Sequence, residues 1–274
     1  MRPLLDWPEA DRRQIIGVFT DIDDTLTTEG AVPAATVAAL GALKAAGLHV
    51  IPITGRPVGW SEPFARAWPV DAIVAENGAV ALTFQRKISS VGNTGIDSSL
   101  SKIYQQDAVT RTSHYARMQA VAARVVREVP GATVSQDSVS RETDIAIDHS
   151  EFTHLPPDQI AQVVQIMQSE GMNATVSSIH INGWYGDHNK LAGARWIVRE
   201  LFGRDLAAEM DRWAYVGDST NDQLMFEAFT HSVGVANIRR FESQLTHLPR
   251  YITPSERGAG FEEFARVLIP LATQ

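Results

Sequence analysis

The chain has 274 residues, room for one large or two modest domains. With 44% apolar residues, 20% charged residues and no cysteine, its composition excludes a disordered or collagenous chain, a disulfide scaffold, a thiolate nucleophile and a cysteine-bound zinc or iron–sulfur centre. The formal charge of −8 repels nucleic acid and anionic membranes, no apolar stretch reaches the roughly 18 residues of a membrane span, and the first residues lack the core of a secretory signal. The expected setting is therefore cytoplasmic, with neither a nucleic-acid nor a membrane partner.

From Gln14 short apolar runs alternate with helical patterns, the rhythm of βαβ units on a parallel sheet. Ile15 to Thr20 is a run of strand formers that stops at Asp21-Ile22-Asp23-Asp24. Pro33 opens a helix closed by Gly47. A strand from Leu48 to Ile53 stops at Thr54-Gly55-Arg56-Pro57. Another, Asp71 to Ala75, enters the turn Glu76-Asn77-Gly78, and residues 79–84 form the returning arm of a hairpin. Residues 87–112 are polar and read as a connection. A helix from Ser113 to Val129, strands at Thr133–Val139 and Thr143–Asp148, a helix from Pro156 to Gly171 and one strand from Ala174 to Ile181 follow. The parallel rhythm then resumes: a helix from Lys190 to Phe202, a strand from Trp213 to Val216 stopping at Gly217-Asp218, a helix from Asp222 to Phe229, strands near residues 232–235 and 251–253, and a closing helix from Phe261 to Leu268. The expected architecture is α/β, a Rossmann-like parallel-sheet core formed by residues 1–84 and 188–274, with an inserted α+β domain over residues 85–187.

In open α/β sheets reactive groups gather past the carboxyl ends of the strands. Here those ends carry Asp21 and Asp23, then Thr54, then Asp218 with Asn221 and Asp222, while Lys190 opens the helix before the last of these strands. Two carboxylates two residues apart, joined by a third from a neighbouring strand, suit a hard divalent cation such as Mg²⁺. One of them could attack phosphorus and the other move a proton. A hydroxyl beside free turn N–H groups, as at Thr54, suits a phosphate oxygen. Alone, each feature has a simpler reading: solvated loop acids, a helix N-cap, a surface lysine. It is the ordered combination at successive strand ends that points to phosphoryl chemistry. The eight histidines form no metal set, the six tryptophans read as packing residues, and neither a P-loop nor a dinucleotide fingerprint is present.

The segments DIDDT, TGR, a lysine opening a helix and GDSTND resemble the four signature motifs of the haloacid dehalogenase superfamily of phosphohydrolases. An insertion between the second and third motifs is similar to the type IIB cap, found in Cof-type sugar phosphatases, sucrose-phosphate phosphatase, phosphomannomutase and mannosyl-3-phosphoglycerate phosphatase. GDSTND and Gly258-Ala259-Gly260-Phe261 resemble the last of these most. The resemblance implies Asp21 as nucleophile, Asp23 as general acid/base, and a phosphate site of Thr54, Gly55 and Lys190 with Asn221. It implies a Mg²⁺ site of Asp21, the Asp23 backbone carbonyl and Asp218, supported by Asp222. Arg56, and within the insertion Arg141, His180 and Asn182, are the candidates for reading the substrate. Asp24 stands where many relatives have glycine. The function implied is hydrolysis of a small phosphorylated sugar, mannosyl-3-phosphoglycerate among the candidates. The alternatives are a phosphomannomutase-like transfer or a receiver-type signalling domain, and the oligomeric state stays open.

Overall fold

The computed structural model describes residues 1–87 and 97–272. The elements in chain order are β1 (Arg2–Pro3), α1 (Glu9–Arg12), β2 (Gly17–Thr20), α2 (Ala34–Ala45), β3 (His49–Pro52), α3 (Val58–Ala67) and β4 (Ala72–Ala75). Then come β5 (Val80–Lys87), β6 (Asp97–Tyr104), α4 (Ala108–Glu128), β7 (Thr133–Val134), β8 (Ile145–Asp148), α5 (Pro157–Ser169), β9 (Asn173–Val176) and β10 (His180–Trp184). The last are α6 (Lys190–Phe202), β11 (Trp213–Gly217), α7 (Gln223–Ala228), β12 (His231–Gly234), β13 (Tyr251–Ile252) and α8 (Arg257–Ala272).

Six strands pair in parallel in the order β1-β13-β12-β11-β2-β3. The central strands β2 and β11 are buried on both faces, which their apolar runs require. A bridge between Ile53 and Val74 brings β4 alongside β3. Two apolar clusters cover the sheet: one gathers Val18, Val50 and Val216 with Leu40 and Phe261, the other Phe19, Ile51 and Tyr215 with Ile197 and Phe226. Among the described residues, Trp7 and Trp213 pack into these layers, as their spread along the chain suggested.

A second body carries an antiparallel sheet, β7-β8-β10-β9, with α4 and α5 against one face and its own core around Met118, Val125, Ile147, Val163 and Ile181. Three local expectations are corrected. The polar stretch read as a connection contains β6, which pairs antiparallel with β5 along the edge of the core, so the boundary expected at residue 85 falls inside β5. Residues 88–96 of that stretch lie outside the described residues. The single strand expected at 174–181 is a hairpin, β9 and β10, because the Ser177 hydroxyl accepts the His180 N–H and the chain reverses there. The strand expected over Thr133–Val139 ends at Val134 and gives way to a 3₁₀ turn at Ser138–Ser140.

Candidate active site

Strand β2 ends by aiming Asp21 past the sheet, its N–H held by the Val216 carbonyl of β11. Strand β11 ends one position further on, so Asp218 faces Asp21 across the strand gap. The Lys190 ammonium lies between, donating to Asp21 at 2.6 Å and to Asp222 at 2.7 Å, with all three side chains buried. Lys190 takes this position because α6 starts there, capped by the Asn189 side chain on the Ala192 N–H. Ligand oxygens of Asp21, Asp218 and Asp222 lie within 4.8 Å of one another.

The carboxylates differ in how they are held. Asp222 is fully engaged: one oxygen accepts from Lys190 and from the Tyr215 hydroxyl, the other from the N–H groups of Asp218 and Ser219. Its approach to the backbone requires glycine at 217, where a Cβ would run into the Asp222 carboxylate. Asp218 accepts from Asn237 at 3.0 Å and from Thr25 at 3.5 Å, and Asp21, among the described side chains, from Lys190 alone. Burial pushes Asp21 up to about 8, with Lys190 opposing the rise and Asp222 and Asp23 adding to it. Burial, then Asp21 and Asp222, drive Asp218 well above the carboxylate range. Three buried carboxylates face one ammonium, a charge excess that a divalent cation with oxygen ligands would neutralise. Because Asp222 has spent both oxygens on four donors, Asp21 and Asp218 are the side chains that fit such an ion.

Asp23 stands apart from this cluster. Its carboxylate accepts from the Arg56 Nε at 2.9 and 3.1 Å. Arg56 reaches at the same time to Asp137 and Glu151 of the second body, at 3.2 and 2.8 Å. Glu151 in turn meets His180 at 2.8 Å, and despite partial burial the hydrogen bonds from His180 and Arg56 hold its carboxyl down to about 2. Arg56, Asp23, Glu151, Asp24, Phe152 and Arg257 wall a cleft of about 570 Å³ between the two bodies.

The Thr54 side chain is buried and its hydroxyl accepts the Arg56 N–H, while α3 begins only at Val58 with Pro57 as its cap. The N-cap reading of Thr54 is thereby excluded. Gly55 offers its carbonyl to Arg141 at 2.9 Å and to Asn182 at 3.3 Å. Arg141 and Asn182, expected to read the substrate, are thus buried in the seam and joined also through Asp144. Asn221 accepts from the Ser219 hydroxyl and makes no bond to Lys190. Asp24 sits at φ 53°, a conformation that glycine enters freely, and pairs with Arg257 at 3.0 Å.

Four participants escaped the sequence reading. Tyr215 and Asn237 orient Asp222 and Asp218. Glu76, fully buried in the turn after β4, accepts from Val58, Glu142 and Thr143. Asp137 joins Arg56 to Arg141. Only Glu76 left a signal, a charged residue in the turn directly after an apolar strand.

Residues 18–115 match the haloacid dehalogenase-like hydrolase family. No curated protein matches the sequence. Among solved structures, the chain is similar to a sucrose-phosphatase of Synechocystis sp. in complex with sucrose and phosphate (15% identity, 93% of this chain and 98% of that one, TM-score 0.64). It is similar also to the C-terminal domain of the Candida albicans trehalose-6-phosphate phosphatase (14% identity, 98% of each chain, TM-score 0.67). A third likeness is to a HAD/COF-like hydrolase of Plasmodium vivax (15% identity, 98% of each chain, TM-score 0.66). At these identities the structures establish a shared fold over nearly the whole chain, and the family match covers the first two motifs within it. The chain is thus similar to the haloacid dehalogenase-like hydrolases in sequence over residues 18–115, and shares the fold of these solved structures over nearly its whole length.

Proposed function

We propose that the chain is a Mg²⁺-dependent phosphatase of a small phosphorylated sugar, acting through an aspartyl-phosphate intermediate on Asp21. The observation that carries this reading is the buried Lys190 ammonium bridging Asp21 and Asp222, beside an Asp218 short of positive charge. In this reading an Asp21 oxygen attacks phosphorus while the bond to the sugar oxygen breaks. The Asp23 carboxyl gives its proton to that oxygen, then takes one from the water that hydrolyses the acyl phosphate, releasing inorganic phosphate. Magnesium held by Asp21, Asp218 and the Asp23 carbonyl would offset the charge of the transferring group. Thr54, the Gly55–Arg56 turn and Lys190 would hold the phosphoryl oxygens, with Asn221 at their edge. The second body, residues 107–187, would act as the cap, and the cleft walled by Arg56, Glu151 and Arg257 would take the sugar. The resemblance of the solved neighbours named as sucrose- and trehalose-phosphate phosphatases supports this substrate class.

The test is phosphate release from a panel of sugar phosphates with Mg²⁺, mannosyl-3-phosphoglycerate included. Asp21→Asn should lose turnover by at least about three orders of magnitude, because an amide cannot attack phosphorus. Substantial release by that variant ends the covalent mechanism, and no release by the parent from any member ends the phosphatase reading.

A further inference from the structure

If Asp23 protonates the departing oxygen, the departing group must lie in the cleft that Asp23 lines, about 570 Å³ in volume. The two walls of that cleft differ. The core side is polar, with Thr27, Glu29 and Arg257, whereas the second body presents Glu151, Phe152 and Ile179. Phe152 is the one aromatic ring among the described residues of the lining, and it is 63% exposed. A lone exposed apolar side chain is ordinary on a protein surface. This one differs in where it stands and in how its backbone is held.

Asp148, at the end of β8, is 2% exposed, and its carboxylate accepts four consecutive backbone N–H groups at 2.9–3.1 Å. Those of Ser150 and Glu151 meet one oxygen, those of Phe152 and Thr153 the other. The N–H groups of His149 and Ser150 also reach the Ile179 carbonyl, which ties the turn to the β9–β10 reversal. A buried carboxylate with four donors is costly to strip, so Phe152 is presented on a fixed turn and little ordering is left for a ligand to impose. Beside it the Glu151 Oε1 accepts from Arg56 at 2.8 Å and keeps a lone pair for a hydroxyl. A fixed aromatic ring next to a carboxylate acceptor matches the two aspects of a pyranose. Its C–H face suits the negative face of an aromatic ring, and its rim carries hydroxyl donors.

We propose that Phe152 is a specificity-determining residue of the reaction, the platform on which the C–H face of a pyranose leaving group stacks while Glu151 accepts from its hydroxyls. This inference rests on the sugar-phosphate reading and narrows it. Closed rings should be preferred to open-chain polyols of the same carbon count, because a flexible chain has no fixed apolar face to lay on Phe152.

The experiment compares phosphate release by the full chain with Mg²⁺ on two matched pairs, D-glucose 6-phosphate with D-glucitol 6-phosphate and D-mannose 6-phosphate with D-mannitol 1-phosphate. The parent should have the higher kcat/KM on at least one cyclic member. Phe152→Ala should raise KM for that member about five- to ten-fold, with kcat and the open-chain partner changed by less than about two-fold. Phe152→Trp, which keeps an aromatic face, should retain the preference. Because Phe152 is exposed, Phe152→Ala should melt with the parent, which separates lost stacking from lost fold. Should it melt early, Phe152→Leu, apolar without an aromatic face, takes its place. A cyclic to open-chain ratio that loss of the aromatic ring leaves unchanged overturns the inference while the phosphatase reading stands. So does a parent that accepts neither cyclic member or prefers the open-chain ones. Release from no sugar phosphate at all ends the reading itself, and the inference falls with it.

Discussion

Lys190 is the residue on which the electrostatics of the site turn. It is buried and bonded to two buried carboxylates, and removing one partner of a buried ion pair leaves the other bare, at a cost of about 3–5 kcal/mol. Lys190→Met should therefore lower the melting temperature strongly, and adding Asp21→Asn to it should recover a large part of the loss, a coupling that a double-mutant cycle of denaturation measures. Additive losses would show that Lys190 and Asp21 do not depend on each other. The same crowding sets a pH dependence. The Asp21 carboxyl is raised from 3.8 to about 8, so the metal-free folded chain retains a proton that the unfolded chain sheds. Its stability contribution is full below the unfolded value and is lost as pH rises from about 4 to about 8. Magnesium needs the ionised form, so its apparent affinity should climb by up to about ten-fold per pH unit toward pH 8, with protons released on binding. Titration calorimetry in buffers of different ionisation heat checks this; a pH-independent affinity would sink it.

Helix α6 brings Lys190 to the acids because its first turn lies directly on the backbone of the turn after β4. A Cβ at Gly193 would stand 2.5 Å from the Gly78 Cα, and Gly78 itself has φ 104°. Gly193→Ala should push α6 outward, costing about 1–3 kcal/mol of stability, and should lower kcat by shifting Lys190. Thermal melts and steady-state kinetics read both; an unchanged kcat would mean that α6 has freedom the packing denies. At this scale much was readable in advance. Strands β2, β3, β4 and β11 are apolar runs stopped by polar clusters, and that is also why Asp21, Thr54 and Asp218 could be singled out, with Lys190 at the start of the helix between. Strand β6 was hidden because an edge strand shows solvent one face and carries polar residues such as Ser99, Ser101 and Lys102. Tyr215 read as one more apolar strand residue, since only tertiary packing reveals that its hydroxyl meets Asp222. Arg141 and Asn182 were readable only as candidates for touching substrate, because the seam that buries them joins segments 86 and 127 positions apart.

At the scale of the whole molecule, the acids and the lysine belong to the core, and the second body contributes one wall of the cleft through Glu151, Phe152 and Ile179. Replacing residues 107–187 by a short linker, keeping the β5–β6 hairpin, should leave slow Mg²⁺-dependent hydrolysis of aryl phosphates and flatten the selectivity among sugar phosphates. A panel of kcat/KM values for the full and shortened chains decides it; an unaltered ranking would place selectivity in the core. The shortened chain should also carry Glu76→Gln, because the deletion strips that buried carboxylate of its bonds to Glu142 and Thr143. The tie has a further consequence for motion. Lifting the two bodies apart at Glu76 would break its bonds from the Glu142 N–H, the Thr143 N–H and the Thr143 hydroxyl, at roughly 1.5–3 kcal/mol each for a charged acceptor. Near Asp23 the bonds across the seam are those of Arg56, which can trade one acid for another, and those of the Gly55 carbonyl to Arg141 and Asn182. The molecule is built like a jaw pinned at Glu76 and at Gly55, with the exchangeable contacts of Arg56 at its mouth.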